Sequence, residues 1–418
     1  MPKNKRPPPR TSNNTREPDS SAEAKHLAEL ALAIAEQEDA AEFGLNSGLN
    51  SGLKSGFEPD SAQDREGELL AAVRKQLRKK RDEVLYEAIE QARFTDPEAC
   101  RLLRGRIEEE AATLRLRRDE GLEYEIDAFL IPLFVRSSGG LVAQETFQDG
   151  TAFEELSASF HAAGLEGKDA KLVLIQHAYD LAEIDHIAFS TLHEMLREAA
   201  ASLLEKKLQP APTIEASIRG WTGERFAPDE SAMELRFLLG FSLKGVGDAF
   251  YAIPRDEAAA DTWYAARAER YRAWTVQASN AVRRCLAADP ERLHVDFLYQ
   301  DLFFGAKEQG LAELTTLGTL SEVARTLAAK ELEPDQVHAA LAPIDAGEHI
   351  VLRVNLYALD GGTPWGSVEI PVDLAADLGA EVDHLCDALL SFGLEGVSVA
   401  TGFSPDGHAE GAETYQPG

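Results

Sequence analysis

The sequence predicts an α+β protein of mixed α/β character: a helical N-terminal layer, then mixed-sheet units, then a C-terminal ββαβ unit. Three observations carry this. Up to about residue 120, apolar residues recur at spacings of three and four with charges between them. Beyond Gly121, short apolar runs alternate with helical patterns. From His349 onward, two alternating runs flank a Gly-Gly turn, and a helical stretch and a last apolar run follow.

Residues 1–20 read as a disordered basic tail, with Lys3, Lys5, Arg6, Arg10 and Arg16 around Pro7, Pro8 and Pro9. Residues 21–42 form a helix whose stripe is Leu27, Leu30 and Ile34. Residues 43–63 hold a GLNS-type repeat, and its glycines make a flexible linker. Residues 64–120 predict a charged helical pair. Leu69, Val73, Leu77, Val84, Leu85 and Ile89 give the first member. Thr95-Asp96-Pro97 breaks the run, with Pro97 at the first position of the next helix. Leu102, Leu103, Ile107, Leu114 and Leu116 continue it.

Residues 121–345 predict an α/β core. Strands are expected at 126–135, 172–175, 215–221 and 234–243, and helices at 187–208 and 261–288. Residues 293–304 suit either state. Helices are expected at 319–330, with Thr319 and Glu322 spaced as a capping box, and at 334–342. Residues 346–404 form the ββαβ unit: a hairpin through Asp360-Gly361-Gly362, a helix at 380–392 and a strand at 396–403. The glycine-rich residues 405–418 read as a disordered tail.

The chain has 418 residues and a formal charge of -30, with 44% hydrophobic residues. That composition supplies a core and excludes a general nucleic-acid coat, because most of the surface repels phosphate. The charge is uneven. Residues 1–118 hold 21 basic and 22 acidic side chains, whereas 119–418 hold 21 and 50. The densest basic cluster is Arg74, Lys75, Arg78, Lys79, Lys80 and Arg81, six cations in eight residues. It is a solvated helix face, a dock for the chain's own acidic body, or a contact for RNA or an acidic protein. Three distant cysteines, Cys100, Cys285 and Cys386, point to reduced thiols. With no signal-like leader and no run of about 20 apolar residues, a cytoplasmic protein without a membrane span is expected.

No complete catalytic signature is present. Gly245-Val246-Gly247 lacks the helix start that a phosphate loop needs, so no cofactor is expected. The stretches around Ser242 and Ser404 each miss the GxSxG spacing by one residue. His193-Glu194 lacks the second histidine of a zinc motif, and no metal is expected. The densest polar group is His177, Asp180, Glu183, Asp185, His186, His193 and Glu194. His177, Asp185, His186 and His193 are the catalytic candidates, since acid–base or metal chemistry uses such residues near strand ends. Trp263, Tyr264, Arg267, Arg270, Tyr271, Arg272 and Trp274 interleave aromatics with arginines. Their spacing fits core packing with outward arginines better than base stacking.

One resemblance draws on the Leu27 to Ile34 helix, the Leu69 to Ile89 helix and the run from Ile126 to Leu133. It also draws on the stretch from Leu235 to Ile253, with its Phe-Tyr-x-Ile-Pro ending, and on Trp365-Gly366-Ser367-Val368 and the closing strand. On these packing patterns, over most of residues 21–405, the chain resembles an uncharacterised proteobacterial domain-of-unknown-function family. The resemblance implies a cytoplasmic α+β protein and brings no catalytic residue. The first expectation is therefore a non-enzymatic interaction or regulatory module with a possible protein partner. The alternatives are an enzyme built on residues 177–194 and RNA binding through the basic arm.

Overall fold

The computed structural model describes residues 20–46, 60–117, 123–137, 150–166, 170–205, 233–246, 254, 256–286, 290–346, 350–359, 361–372 and 378–417. Residues 1–19, most of the GLNS linker and the expected strand at 215–221 lie outside these. Contacts divide the chain into two compact units, 1–104 and 105–418. The fold class is α+β.

The first unit is helical. α1 (Ser20–Asn46) packs against α2 (Asp60–Lys79) and α3 (Asp82–Thr95). Leu27, Leu30 and Ile34 are buried, as are Leu69, Val73 and Leu77 of α2 and Val84, Leu85 and Ala88 of α3. The expected long first helix is in fact two. Lys80 adopts the left-handed conformation (φ 54°) and ends α2, with Lys80 N–H donating to Leu77 O and Arg81 N–H to Gln76 O. This is a Schellman ending with lysine where glycine is usual. α4 (Pro97–Ala112) starts where Asp96 Oδ1 accepts the Ala99 N–H at 2.9 Å.

The charged pair at 64–120 is thus three helices, and its last residues are a strand. β1 (Thr113–Arg117) pairs antiparallel with β2 (Glu123–Ser137). Leu114 and Leu116 belong to a period of two. They pack into the core while Arg115 and Arg117 face Glu125 and Glu123 across the strands at 2.9 Å.

The larger unit contains two sheets. In the first, β2 pairs along one edge with β4 (Met233–Gly245), which pairs in turn with β3 (Lys171–Asp180), all antiparallel. The other edge of β2 takes β1 at one end, and β6 (Asp301–Leu302) and β5 (Leu293–Phe297) toward the other. Pro132, which has no N–H to give, sits between those last two ladders and accepts only the Leu298 N–H at 2.9 Å.

Both faces of this sheet are covered, which is why β2 and β4 read as near-continuous apolar runs. On one face lie α6 (Leu181–Asp185), α7 (Phe189–Leu204) and the first half of α9 (Phe303–Lys330), against Ile126, Leu130, Phe237 and Phe241. On the other lie α5 (Gly150–Ala162) and α8 (Glu257–Leu286), against Phe129, Ile131, Leu133 and Leu238.

The second sheet has five strands, in the spatial order Glu413–Thr414, Gly396–Val399, Val337–Asp345, Ile350–Ala358 and Gly366–Pro371. β7 (Val337–Asp345), β8 (Ile350–Ala358) and β9 (Gly366–Pro371) form an antiparallel meander. α10 (Leu378–Phe392) then returns the chain to β10 (Gly396–Val399), parallel to β7. α10 and the second half of α9 bury Val323, Leu327, Leu385, Cys386 and Leu389 against one face.

Two expectations fail here. The alanine-rich 334–342 is not a helix: a 3₁₀ turn at Pro334–Gln336 leads into β7, the central strand. Pairing on both sides overrides local propensity. The expected capping box at Thr319 is mid-helix, and its hydroxyl donates to Thr315 O.

The tail expected at 405–418 is ordered over its described residues, 405–417. β11 (Gly402–Phe403) and β12 (Ala409–Glu410) form a hairpin, and β13 (Glu413–Thr414) pairs with β10. The Tyr415 hydroxyl donates to Asp387 Oδ1 at 3.1 Å.

Candidate functional site

The basic cluster lies in the helical unit, and Glu23 of α1 organises part of it. Glu23 accepts from Lys75 at 2.9 Å and is ion-paired with Arg81. The hydrogen bond from Lys75, and then the charge of Arg81, hold the Glu23 carboxyl below the usual carboxylate range. Arg78 turns back to donate to Arg74 O at 3.1 Å. Arg74, Arg78, Lys79 and Lys80 are exposed around the C-terminal end of α2, where the helix dipole favours cations.

The histidine and aspartate candidates occupy dissimilar surroundings. His177 lies on β3, and its side chain, like those of Asp180 and Glu183, falls outside the described residues. Asp185 is about half exposed, and its carboxylate meets Lys307 of α9 at 2.6 Å. His186 is exposed on the turn after α6. His193 is buried on the core side of α7, beside Leu192, Met195 and Leu196. Among the described residues, no group of three His, Cys, Asp or Glu side chains stands close enough to hold a metal ion.

The aromatic and arginine stripe on α8 is core only in part: Trp263 is half-buried, Tyr264 is 49% exposed, and one arginine departs from the expected outward pattern. Tyr271 and Trp274 are buried, and Arg270 and Arg272 face outward. Arg267 is buried too, at 1% exposure. Its Nη2 donates to Leu165 O at 2.7 Å, its Nη1 bonds the Tyr299 hydroxyl, and its Cζ stands 4.9 Å from the Tyr299 ring centroid. Arg236 is a second buried arginine, paired with Glu234 at 2.9 Å. The sequence reading missed both. Arg236 alone carried a signal, as a charge inside an apolar strand.

The segment that Arg267 holds carries a polar cluster that no motif announced. The turn after α5 passes through Gly164 (φ 64°), whose N–H donates to His161 O. That left-handed turn is open to glycine. It sends Leu165 into the core and Glu166 under the sheet. The Glu166 side chain is 1% exposed, with Oε1 2.7 Å from Nδ1 of the half-exposed His161. Ser242, fully buried within β4, donates to Glu166 Oε2 at 3.5 Å. Burial, opposed by His161 and then Ser242, pushes the Glu166 carboxyl up to about 7.

Next to Ser242 across the strands, Asp127 accepts from Thr113 at 3.0 Å and meets Lys244 Nζ at 2.7 Å. Lys244 also reaches Glu125 at 3.4 Å. Burial raises the Asp127 carboxyl against the pull of Lys244 and Thr113. The cluster can hold a proton near neutrality. It is not a serine-nucleophile arrangement, because Ser242 faces a carboxylate while the imidazole lies beyond it.

The outer face of the second sheet carries another polar group. His338 Nε2 lies 2.9 Å from Ser398 Oγ across neighbouring parallel strands. Burial lowers the His338 imidazole. Asn355 Nδ2 and the Tyr357 hydroxyl both donate to Gly407 O, at 3.2 and 2.5 Å, and so hold the β11–β12 hairpin to the sheet. Ser404, the other near-miss serine, accepts the His408 N–H within that hairpin. On the covered face, burial followed by the charges of Asp383 and Asp387 pushes the Cys386 thiol up to about 12. That suits a packed, unreactive side chain. Searches against protein-family models, curated proteins and solved structures return no match to this chain.

Proposed function

We propose that this chain is a cytoplasmic, non-enzymatic interaction or regulatory module, and that its helical unit takes an acidic segment of a protein partner at the C-terminal end of α2. The observation that supports this most is the exposed group Arg78, Lys79 and Lys80, on a helix end that Glu23 braces through Lys75 and Arg81. Bracing lowers the ordering cost of binding. Lys80 adds to the case, because it sits in a left-handed position that costs a side chain about 1–2 kcal/mol.

RNA is the less favoured partner for the same patch. The group Arg78, Lys79 and Lys80 replaces about three phosphate counterions, a shallow dependence on salt. The net charge of residues 119–418 further disfavours a long polyanion. The surroundings of Asp185 and His193, one paired with Lys307 and one in the core, also weigh against an enzyme built on residues 177–194.

Capture on the immobilised full chain tests the proposal, using wild type and the triple variant Arg78→Glu, Lys79→Glu, Lys80→Glu, with and without nuclease. The proposal expects a nuclease-resistant protein retained at low salt by wild type and lost from the variant. Equal retention by both would overturn it, and retention abolished by nuclease would transfer the site to RNA.

A further inference from the structure

We propose that His161, Glu166 and Ser242 form a proton-operated clasp that fastens the C-terminal end of α5 to β4 and releases it when the proton is lost. The clasp stands apart from the patch on α2 and does not depend on the partner reading.

The geometry supplies a buried load and an exposed handle. Glu166, at 1% side-chain exposure, bridges an imidazole that is 52% exposed and a hydroxyl on a fully buried serine. Protons therefore reach the buried carboxyl through His161. With one proton shared between carboxyl and imidazole, the buried group is either neutral or paired with an imidazolium. With none, a full negative charge stays in the core, met among the described residues by hydrogen bonds from the neutral imidazole and the Ser242 hydroxyl but by no counter-cation. Buried unpaired carboxylates are strongly disfavoured, so the side chain moves to water and takes the turn after α5 with it.

Among the described residues, the neighbouring charges are engaged elsewhere. From β4, Lys244 is drawn to Asp127 and Glu125 of β2. From α8, Arg267 meets this turn at Leu165 O, and Arg284 pairs with Glu155 of α5 at 2.6 Å. The side chains of β3 lie outside the described residues. The raised position of the Glu166 carboxyl, about 7, sets the release near neutrality.

The end of α5 is otherwise well anchored, so release is local. Phe160 packs edge-on to Trp274, with ring centroids 5.0 Å apart, and Trp274 Nε1 donates to Ser159 Oγ at 3.0 Å. These contacts do not titrate. The clasp thus governs the last residues of the helix and the turn while the rest of α5 stays docked.

Amide hydrogen exchange on the full chain tests this, corrected for intrinsic rates and compared at pH 6 and pH 8.5. Protection over residues 161–166 should fall at least tenfold in wild type, with no comparable change in α7 or α9. In Glu166→Gln, which cannot ionise, it should stay constant. Should that variant fold poorly, His161→Gln serves instead: without the imidazole, which holds the carboxyl down, the release should move to higher pH. Protection that is independent of pH in wild type, or equally dependent in Glu166→Gln, would overturn the proposal.

Discussion

Arg267 donates from Nη2 to the backbone carbonyl of Leu165 across 2.7 Å, from a side chain that is itself 1% exposed. A helix on one side of the sheet layer thereby holds the turn that ends its neighbour. Replacing Arg267 with leucine leaves the Leu165 carbonyl and the Tyr299 hydroxyl short of a partner in the core. The expected loss is about 2–4 kcal/mol, read from urea denaturation. Lysine should not restore it, because one ammonium cannot span both acceptors as the guanidinium fork does.

The hairpin at the C-terminal end depends on Tyr357 and Gly407. Tyr357→Phe removes one of the two donors to Gly407 O and should cost about 1 kcal/mol, with faster proteolysis across residues 404–410. Gly407→Ala should cost about 1–3 kcal/mol. Its φ is 81°, and an added Cβ would lie 2.8 Å from Cγ of Pro364, a ring atom with little freedom to move.

Lys80→Gly relieves a left-handed side chain. It should raise the stability of the helical unit by about 0.5–1 kcal/mol, measured by thermal melting, while weakening capture of an acidic partner. A gain in stability with a loss in binding would identify the residue as one kept for its charge.

The Glu166 carboxyl links stability to pH with a definite sign. Its value is raised from 4.5 to about 7 in the folded chain, so between those values the folded state binds more protons than the unfolded. Stability from this group is fully present below 4.5 and is lost as pH rises toward and through about 7. Denaturation midpoints from pH 5 to 8 should therefore fall more steeply for wild type than for Glu166→Gln. Parallel curves would contradict the assignment.

What the sequence made legible follows from what periodicity can carry. β2 and β4 declare themselves because both faces are covered, and the β8–β9 hairpin because one face alternates and Gly361-Gly362 turns it. Leu114 and Leu116 continue the helical spacing in sequence because two residues are too few to reveal a period of two. The run from Val337 to Ala342 hides its strand because its alanines favour helix until two neighbouring strands pair with it.

The polar cluster at Glu166 had no local signature. His161 and Glu166 are five apart in sequence, and Ser242 is 76 residues beyond Glu166. Only the pairing of β2, β4 and β3 and the turn at Gly164 bring the three together. The basic run from Arg74 to Arg81 was visible at once, but the part played by Glu23 was not, because the GLNS linker lies between them.

The most direct measurement of the partner site is fluorescence anisotropy of a labelled oligo-glutamate peptide titrated with the full chain at 50 and 200 mM salt. A labelled single-stranded RNA of equal charge is the comparison. The account predicts saturable binding of the peptide, tighter than that of the RNA, weakened by salt and reduced at least tenfold in the Arg78→Glu, Lys79→Glu, Lys80→Glu variant. Binding unchanged in that variant, or none at 50 mM salt, would contradict it.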